Sequence, residues 1–570
     1  MPLFWILLVA AALRIVAITW GLPASDSWDD DGIAPRDIFV GVIMTYAPDS
    51  YYIYPPLHFV LLSLLTWPGA VAALLSSHSL RQADVIASFI QIPYMTFFSL
   101  VARSVSVLMS LATIVVIGKT AEHIGGRRAG YCAAGVCALS ATLVYYGHVT
   151  NLDGPYLFWC SLSILCWVSV IAERDLRQIR WGAIFAVAAI ATKDQAYAVF
   201  LLSLPLAFVL WFALDRWPRQ NARRLFTTLA FWLVISLIAL LLIDGAITNP
   251  VGFARRIDFL TGPASQGYSF YQDTWFGRFH LIDDLWNHFP WSYPLAATTF
   301  GLAGVAICVV NVSENRSKWV AGLLPLLVII SFTVAFNFVV LRSENRFVLP
   351  QWLYVAVYIG IAVDKLAFAT DRTVRYATRL ILVPLAVFAL YESAAVDAAF
   401  LADPRYDAEQ WLRSNLKPGD TLEIYGQNCY LPRLPDGVVA TRVDSKPLTP
   451  RNPQIHVTEI SQPFEAVARR NPRFILVPAT WIRTYLLQIH DPLPAGRVYS
   501  TRQQATFKKT AARAYFLALS EGRAGYRLVH ESVYRPVFWP EVHIHESLGE
   551  TIRIYERIAV PTQSPGRGQI

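Results

Sequence analysis

Two stretches of this chain, 225–243 and 319–341, contain no charged residue and are apolar over nearly their whole length. A helix that crosses the hydrocarbon core of a bilayer needs about 20 such residues, and each run meets that length. Backbone groups inside a bilayer must be satisfied within their own segment, so these runs predict membrane-spanning helices. Similar runs recur along the first 400 residues, and the predicted spans are 3–22, 97–117, 129–146, 154–171, 179–192, 196–213, 225–247, 294–310, 319–341, 347–363 and 380–400. The opening stretch, 1–20, lacks a basic leading region and a small-residue cleavage site after it, which predicts a retained first span. With 55% hydrophobic and 15% charged residues, the composition belongs to the same class.

The charges that do occur fix an orientation. With the N-terminus in the cytoplasm, the inner loops and span edges hold Lys119, Arg127, Arg128, Arg174, Arg177, Arg180, Arg216, Arg219, Arg223, Arg224, Arg316, Lys318, Lys365, Arg372, Arg375 and Arg379. The outer loops hold Arg36, Arg81, Lys193, Arg255, Arg256, Arg278, Arg342 and Arg346. That is 16 basic residues inside against 8 outside, the direction the positive-inside rule demands. The net charge of +8 is therefore accounted for by membrane topology, with no call for a nucleic-acid partner. Residues 57–75 are apolar enough to be a further span, but counting them would invert every Arg-rich loop downstream. They are read as an interfacial helix, opened by Pro55-Pro56 and broken at Pro68.

After residue 400 no run of spanning length follows. Asp403-Pro404 opens a helix with Ala408, Trp411 and Leu412 on one face, Lys417-Pro418-Gly419-Asp420 turns, and 421–425, 473–477 and 551–555 have strand character. The predicted fold class is a polytopic α-helical membrane protein of about eleven spans with a C-terminal extramembrane α/β domain. The divisions are 1–400 for the membrane domain, 401–561 for the outer domain and 562–570 for a disordered tail. Five of the six cysteines lie in apolar runs, and no CxxC or His/Cys zinc spacing is present. Walker and GxGxxG motifs are also missing, which argues against an ATP-driven pump.

Four features carry chemistry. Asp26 and Asp29-Asp30-Asp31 follow the first span, and three adjacent carboxylates repel one another enough to bind a proton tightly or to call for a cation. One of them fits a general base towards a hydroxyl, and the group fits an acidic helix start equally well. His148 and Asp153 lie on a short turn, 147–153, where Asp153 opens a span as base or as cap. Lys193-Asp194 follows the 179–192 run, which as a helix is about 21 Å long against about 30 Å of hydrocarbon, so Lys193 lies below the surface with Asp194 or a bound anion as its partner. Arg342 and Arg346 form a basic turn suited to a phosphate or to interfacial snorkelling. Together the carboxylates and cations suit a phosphate-displacing transferase. The alternative is a transporter or lipid flippase, which predicts broken spans in two matching halves, and no such duplication is found.

In order along the chain stand Leu13-Arg14, the acidic motif, Tyr54-Pro55-Pro56-Leu57-His58, Arg103, Gly125-Gly126-Arg127-Arg128-Ala129-Gly130, the Asp153 turn, Thr192-Lys193, Asn345-Arg346-Phe347-Val348-Leu349-Pro350 and Pro418-Gly419-Asp420. In this order the chain resembles the lipid-carrier-dependent glycosyltransferases of the C-type fold, the superfamily that includes protein O-mannosyltransferases and the lipid A aminoarabinose transferase. The resemblance implies transfer of a sugar from a polyprenyl-phosphate carrier to an acceptor on the outer face, usually with inversion. It implies a first-loop aspartate as base, here Asp31 before Asp30 and Asp29, although the family's usual following Glu is missing. It implies Asp153 as the second acidic position, Lys193, Arg346 and Arg342 as holders of the donor phosphate, and Tyr54, His58 and His148 beside the substrate, with Tyr51 and Tyr52 as sugar-stacking surface. Some relatives hold a divalent metal and others do not, so the resemblance leaves the metal open. The acceptor, be it lipid, glycan or protein, is left open too. A bacterial inner membrane is the implied location.

Overall fold

The computed structural model describes residues 2–558 except 30–31, 215–218, 263–266, 311–314, 446–455, 488–490, 538–540, 543–544 and 546–547. Asp30, Asp31 and the tail 562–570 thus lie outside the described residues.

Helices fill the first 400 residues. Among the described residues seven are long and apolar enough to cross a membrane: Leu57–Leu75, Ile92–Gly125, Asp153–Glu173, Asp194–Leu214, Asn221–Ile243, Arg316–Val340 and Arg372–Asn415, the last running into the C-terminal domain. An eighth is added if the pair Arg127–Ala138 and Ala141–His148, bent by 64°, counts as one span. This is fewer than the eleven predicted. The first, fifth and eighth predicted spans are the shorter helices Pro2–Ile15, Gln178–Ile190 and Ala297–Val310. The first ends early because Ala17 takes a left-handed φ of 60°. The expected interfacial segment is the continuous helix Leu57–Leu75, itself long and apolar enough to cross a membrane, with Pro68 inside it. Pro325 and Pro384 also sit within helices. In a packed apolar bundle a lost backbone hydrogen bond is tolerated, so proline does not end the helix as it would in water.

Small residues set the close contacts of the bundle. A Cβ on Gly130 would stand 2.7 Å from the Gly118 carbonyl, so the helices Ile92–Gly125 and Arg127–Ala138 approach backbone to backbone. Gly126, at φ 94°, makes the reversal between them. By contrast, Asn221–Ile243 buries only Leu225, and Phe231, Leu233, Leu237 and Leu241 all point outwards. An apolar helix with so little protein around it faces lipid.

The Arg372–Leu401 helix passes almost directly into Pro404–Asn415, capped by Asp403, whose side chain accepts from the Arg405 backbone N–H. Beyond it lies a six-stranded sheet of β1 (Thr421–Ile424), β2 (Val439–Asp444), β3 (Val457–Ser461), β4 (Phe474–Pro478), β5 (Tyr526–Ser532) and β6 (Ile552–Arg557). Its order is β3-β2-β1-β4-β6-β5, with the first four strands parallel and β6 antiparallel to both β4 and β5. β1, β4 and β6 are the predicted strands. The two faces carry separate apolar clusters, one around Phe464, Tyr485 and Phe516 and one around Ala408, Leu412 and Leu476. A sheet covered on both faces is the expected setting for parallel strands.

Candidate active site

The acidic loop is held from below by one arginine. Arg103, a third of the way along the Ile92–Gly125 helix, donates through Nη2 to Asp29 Oδ2 at 2.8 Å, and both side chains are at most 1% exposed. Its Nη1 donates to the carbonyls of Ile18 and Trp20, each at 2.7 Å, which fixes the chain leaving the first helix. The other Asp29 oxygen accepts the Thr150 backbone N–H at 2.8 Å, and Ile33 N–H returns a bond to the Thr150 carbonyl at 2.7 Å. Burial pushes the Asp29 carboxyl up, but the Arg103 charge and these hydrogen bonds outweigh it and hold it below the usual range. Both Asp29 oxygens are thus engaged, and this residue anchors the loop.

Thr150 begins the turn that carries Asp153. The Asn151 side chain accepts the backbone N–H groups of Asp153 and Gly154 at 2.9 and 3.3 Å, which starts the Asp153–Glu173 helix. Asp153 accepts a hydrogen bond from Lys193 Nζ at 2.6 Å, and the ammonium lies 5.7 Å from the centre of the Tyr156 ring. Lys193 is extended (φ −152°, ψ 123°) between the end of Gln178–Ile190 and the short turn Asp194–Ala196, and its side chain is 14% exposed. The partly buried Lys193 side chain thus bonds Asp153, 40 residues before it in the chain. The Leu57 N–H bonds the Ala191 carbonyl at 3.0 Å, tying the Tyr54-Pro55-Pro56 segment to the turn that bears Lys193. Asp29, Asp153 and Lys193 are therefore brought together through two turns.

Asp194 turns away to Arg256, a residue the sequence did not single out. The Arg256 side chain is 1% exposed; it pairs with Asp194, lies 3.5 Å from Asp244 Oδ2 and donates to the Ile53 carbonyl at 3.2 Å. Its guanidinium stacks over Tyr52, whose hydroxyl donates to the Asp244 carbonyl. Tyr52 is thus consumed by packing, whereas Tyr51 is exposed and meets Phe259 edge-on. Tyr54 is half-buried against the cluster of Ile33, Ile38 and Leu152 beneath the acidic loop. The nearest sequence signal for Arg256 is the Asn249-Pro250 helix start one turn and a half before it.

The cationic turn is built on a π-turn, Thr333–Asn337, in the helix before it. Asn337 donates to the Phe347 carbonyl at 2.8 Å and to that of Arg342 at 3.4 Å, and accepts from Gln351 at 2.7 Å. Arg342 donates to the Tyr268 carbonyl at 3.1 Å and lies 4.4 Å over that ring. Arg346 pairs with Glu344 at 3.0 Å, lies 4.7 Å over Phe347 and remains a quarter exposed. Ser343 donates to Asp284, which also accepts from Tyr271 and from Arg497 at 2.7 Å. Burial pushes Asp284 up, yet the Ser343 and Tyr271 hydrogen bonds and the Arg497 charge hold it below the usual range.

The two predicted histidines are placed differently from each other. His148 is buried with its ring nitrogens at the carbonyls of Val144 (2.9 Å) and Val16 (2.7 Å) and 3.3 Å from Asp397, so it joins helices. His58 is buried in the first turn of Leu57–Leu75, and neither ring nitrogen has a hydrogen-bond partner. Asp26 is buried too. Its Oδ1 accepts the Ser27 N–H at 2.9 Å, Oδ2 has no partner, and burial pushes its carboxyl up to about 8. Among the described residues no three His, Cys, Asp or Glu side chains are grouped to hold a metal ion. Asp29 is taken by Arg103 and Asp153 by Lys193.

Residues 44–260 match the family model for dolichyl-phosphate-mannose-protein mannosyltransferase. That span includes His58, Arg103, Asp153, Lys193 and Arg256. None of the curated proteins compared with the chain matches it. The archaeal oligosaccharyltransferase AglB from Archaeoglobus fulgidus, in complex with an inhibitory peptide and a dolichol-phosphate, is 14% identical, with 98% of this chain and 88% of that chain covered and a TM-score of 0.49. ArnT from Cupriavidus metallidurans bound to undecaprenyl phosphate is 15% identical, with 97% and 98% covered and a TM-score of 0.49. A mycobacterial arabinofuranosyltransferase, AftD, is 13% identical over 98% of this chain and 41% of that chain, at a TM-score of 0.34. Residues 44–260 thus match a glycosyltransferase family of the superfamily that the sequence motifs resemble.

Proposed function

We propose that this chain is a membrane glycosyltransferase that moves a sugar from a polyprenyl-phosphate carrier to an acceptor hydroxyl on the outer face of the membrane, with inversion at the anomeric carbon. The observation that carries the proposal is the linked set Asp29–Thr150 and Asp153–Lys193, which gathers an acidic loop, a second carboxylate and a cation at one end of the bundle, partly within the mannosyltransferase match.

In the reaction, Asp31 or Asp30 takes the proton of the acceptor hydroxyl as its oxygen attacks the anomeric carbon. The bond from that carbon to the carrier phosphate breaks, and the phosphate leaves with the electron pair as polyprenyl phosphate. One in-line displacement of this kind inverts the centre. Asp29 keeps the loop in place and does not exchange protons. Lys193 carries three N–H donors, so a phosphate oxygen joins Asp153 as an acceptor. Lys193, with Arg346 and Arg342, stabilises the charge that grows on the leaving phosphate. No step runs through a metal.

The test is transfer of radiolabelled sugar from a panel of polyprenyl-phosphate sugars in membranes, comparing the wild type with Asp31→Asn and Asp30→Asn at matched expression. The expected result is transfer by the wild type and a loss of 100-fold or more in one of the variants, in line with removal of a general base. Wild-type protein that neither binds nor consumes any donor would overturn the proposal and favour a transporter, and transfer unchanged by both substitutions would overturn the assignment of the base.

A further inference from the structure

The C-terminal domain touches the membrane bundle at several places, His545 stacked 3.7 Å over Tyr145 among them, and two of these contacts each lie one residue from one half of the candidate site. At the first, Arg405 is fully buried. Its edges are taken by Asp403, through Nε at 2.8 Å and Nη2 at 2.6 Å, and by the carbonyl of Cys429 just beyond β1. Its plane lies 4.3 Å from the ring centre of Trp28 and 4.8 Å from that of Trp20. Trp20 Nε1 donates to Asp403 at 3.1 Å, Tyr406 accepts the Gly21 N–H at 3.0 Å, and Arg433 covers Trp28 at 5.6 Å. Trp28 is the residue before Asp29.

At the second place, the segment around Arg497 forms a backbone ladder with the bundle. Val498 N–H bonds the Phe270 carbonyl at 2.9 Å, Gln272 N–H bonds Gly496 at 3.0 Å, and Phe270 N–H bonds Leu341 at 3.0 Å. Arg497 Nη2 reaches Asp284 at 2.7 Å, and Asp284 holds Ser343 between the two arginines of the cationic turn.

We propose that the C-terminal domain is a two-point clamp that sets the spacing between the acidic loop and the cationic turn, with Arg405 and Arg497 as its positioning residues. The proposal rests on the transferase reading of these two segments. Both grips belong to one sheet domain: Arg405 is bonded to Cys429 on the connection from β1 to β2, and Arg497 lies on the connection from β4 to β5. A displacement of the domain therefore moves base and phosphate site together. Reaction rate is sensitive to such spacing, since about 1 Å of misplacement costs on the order of 100-fold. Arginine suits the first grip because its planar fork makes several directed bonds at its edges while its charge lies against the two indole rings, which a lysine ammonium cannot match.

The experiment compares full-length wild type with Arg405→Lys and Arg497→Lys by hydrogen exchange of backbone amides and by steady-state transfer. Arg405→Lys is expected to raise exchange tenfold or more in residues 26–33 and to lower kcat with donor KM unchanged. Arg497→Lys is expected to raise exchange in 341–347 and to raise donor KM. Should Arg405→Lys not fold, Trp28→Leu removes the same stack from the loop side and is read in the same way. Exchange unchanged in both segments overturns the clamp, as does an equal rise across the whole domain. Exchange that follows the expected pattern in a protein that transfers no sugar supports the clamp and sinks the transferase reading alone.

Discussion

Arg103 Nη2 stands 2.8 Å from Asp29 Oδ2, with both side chains out of contact with solvent. Removing one partner of a buried ion pair leaves an uncompensated charge, at a cost of about 3–5 kcal/mol. Arg103→Met is therefore expected to lower the thermal midpoint in detergent and abolish transfer. Asp29→Asn combined with Arg103→Met should recover much of the stability and little of the activity. A single Arg103→Met that melts like the wild type would show that the pair does not hold the loop.

Lys193 shares a 2.6 Å hydrogen bond with Asp153. If the ammonium also meets the leaving phosphate, Lys193→Ala loses a donor aimed at developing charge, and kcat should fall by about 100- to 1,000-fold. Lys193→Arg should retain part of it. Single-turnover transfer from pre-bound donor separates the chemistry from donor binding; an unchanged single-turnover rate in Lys193→Ala would make the pair purely structural.

The two arginines of the cationic turn differ in exposure, Arg342 being buried under the Tyr268 carbonyl and Arg346 a quarter exposed beside Glu344. Arg346→Ala is expected to raise donor KM about tenfold or more with little loss of stability. Arg342→Ala is expected to destabilise the protein by about 1–3 kcal/mol, because the Tyr268 carbonyl loses its charged donor and the Tyr268 ring its cation. Donor titrations alongside melting curves would distinguish the two, and equal effects on both readouts would contradict the assignment.

Asp26 has its carboxyl raised to about 8 by burial. In the unfolded chain it ionises near pH 4, so between about pH 4 and pH 8 the unfolded state has lost a proton that the folded state keeps. Stability from this residue is complete below pH 4 and declines as pH rises towards 8, by up to about 1.4 kcal/mol per pH unit. Asp26→Asn should melt like the wild type at pH 4 and above it at pH 8. Parallel melting curves across that range would count against a neutral Asp26.

The membrane class and the C-terminal α/β region were legible because they follow from local quantities: run length, charge spacing and the change of pattern after residue 400. Partners were not. Lys193 bonds Asp153, 40 residues away, and its neighbour Asp194 pairs with Arg256, 62 residues away. Arg256 resembled an ordinary loop charge, since nothing along the chain signals that Asp194 and Asp244 close over it. Asn337 sat unnoticed in an apolar run, and only the π-turn shows why an amide belongs there. The strands β2, β3 and β5 escaped because their alternation is half polar and β3 and β5 are the two edges of the sheet. The contact of Trp20 with Asp403 spans 383 residues, a separation that no periodicity encodes.

The helix Asn221–Ile243, with Leu225 as its one buried residue, makes this side of the protein continuous with the lipid. A reactant carrying a long hydrocarbon tail meets such a surface in two dimensions. Its supply is then governed by mole fraction in the bilayer and not by molarity in the suspension. Diluting the membranes with buffer leaves that supply untouched, whereas fusing them with carrier-free lipid thins it in proportion.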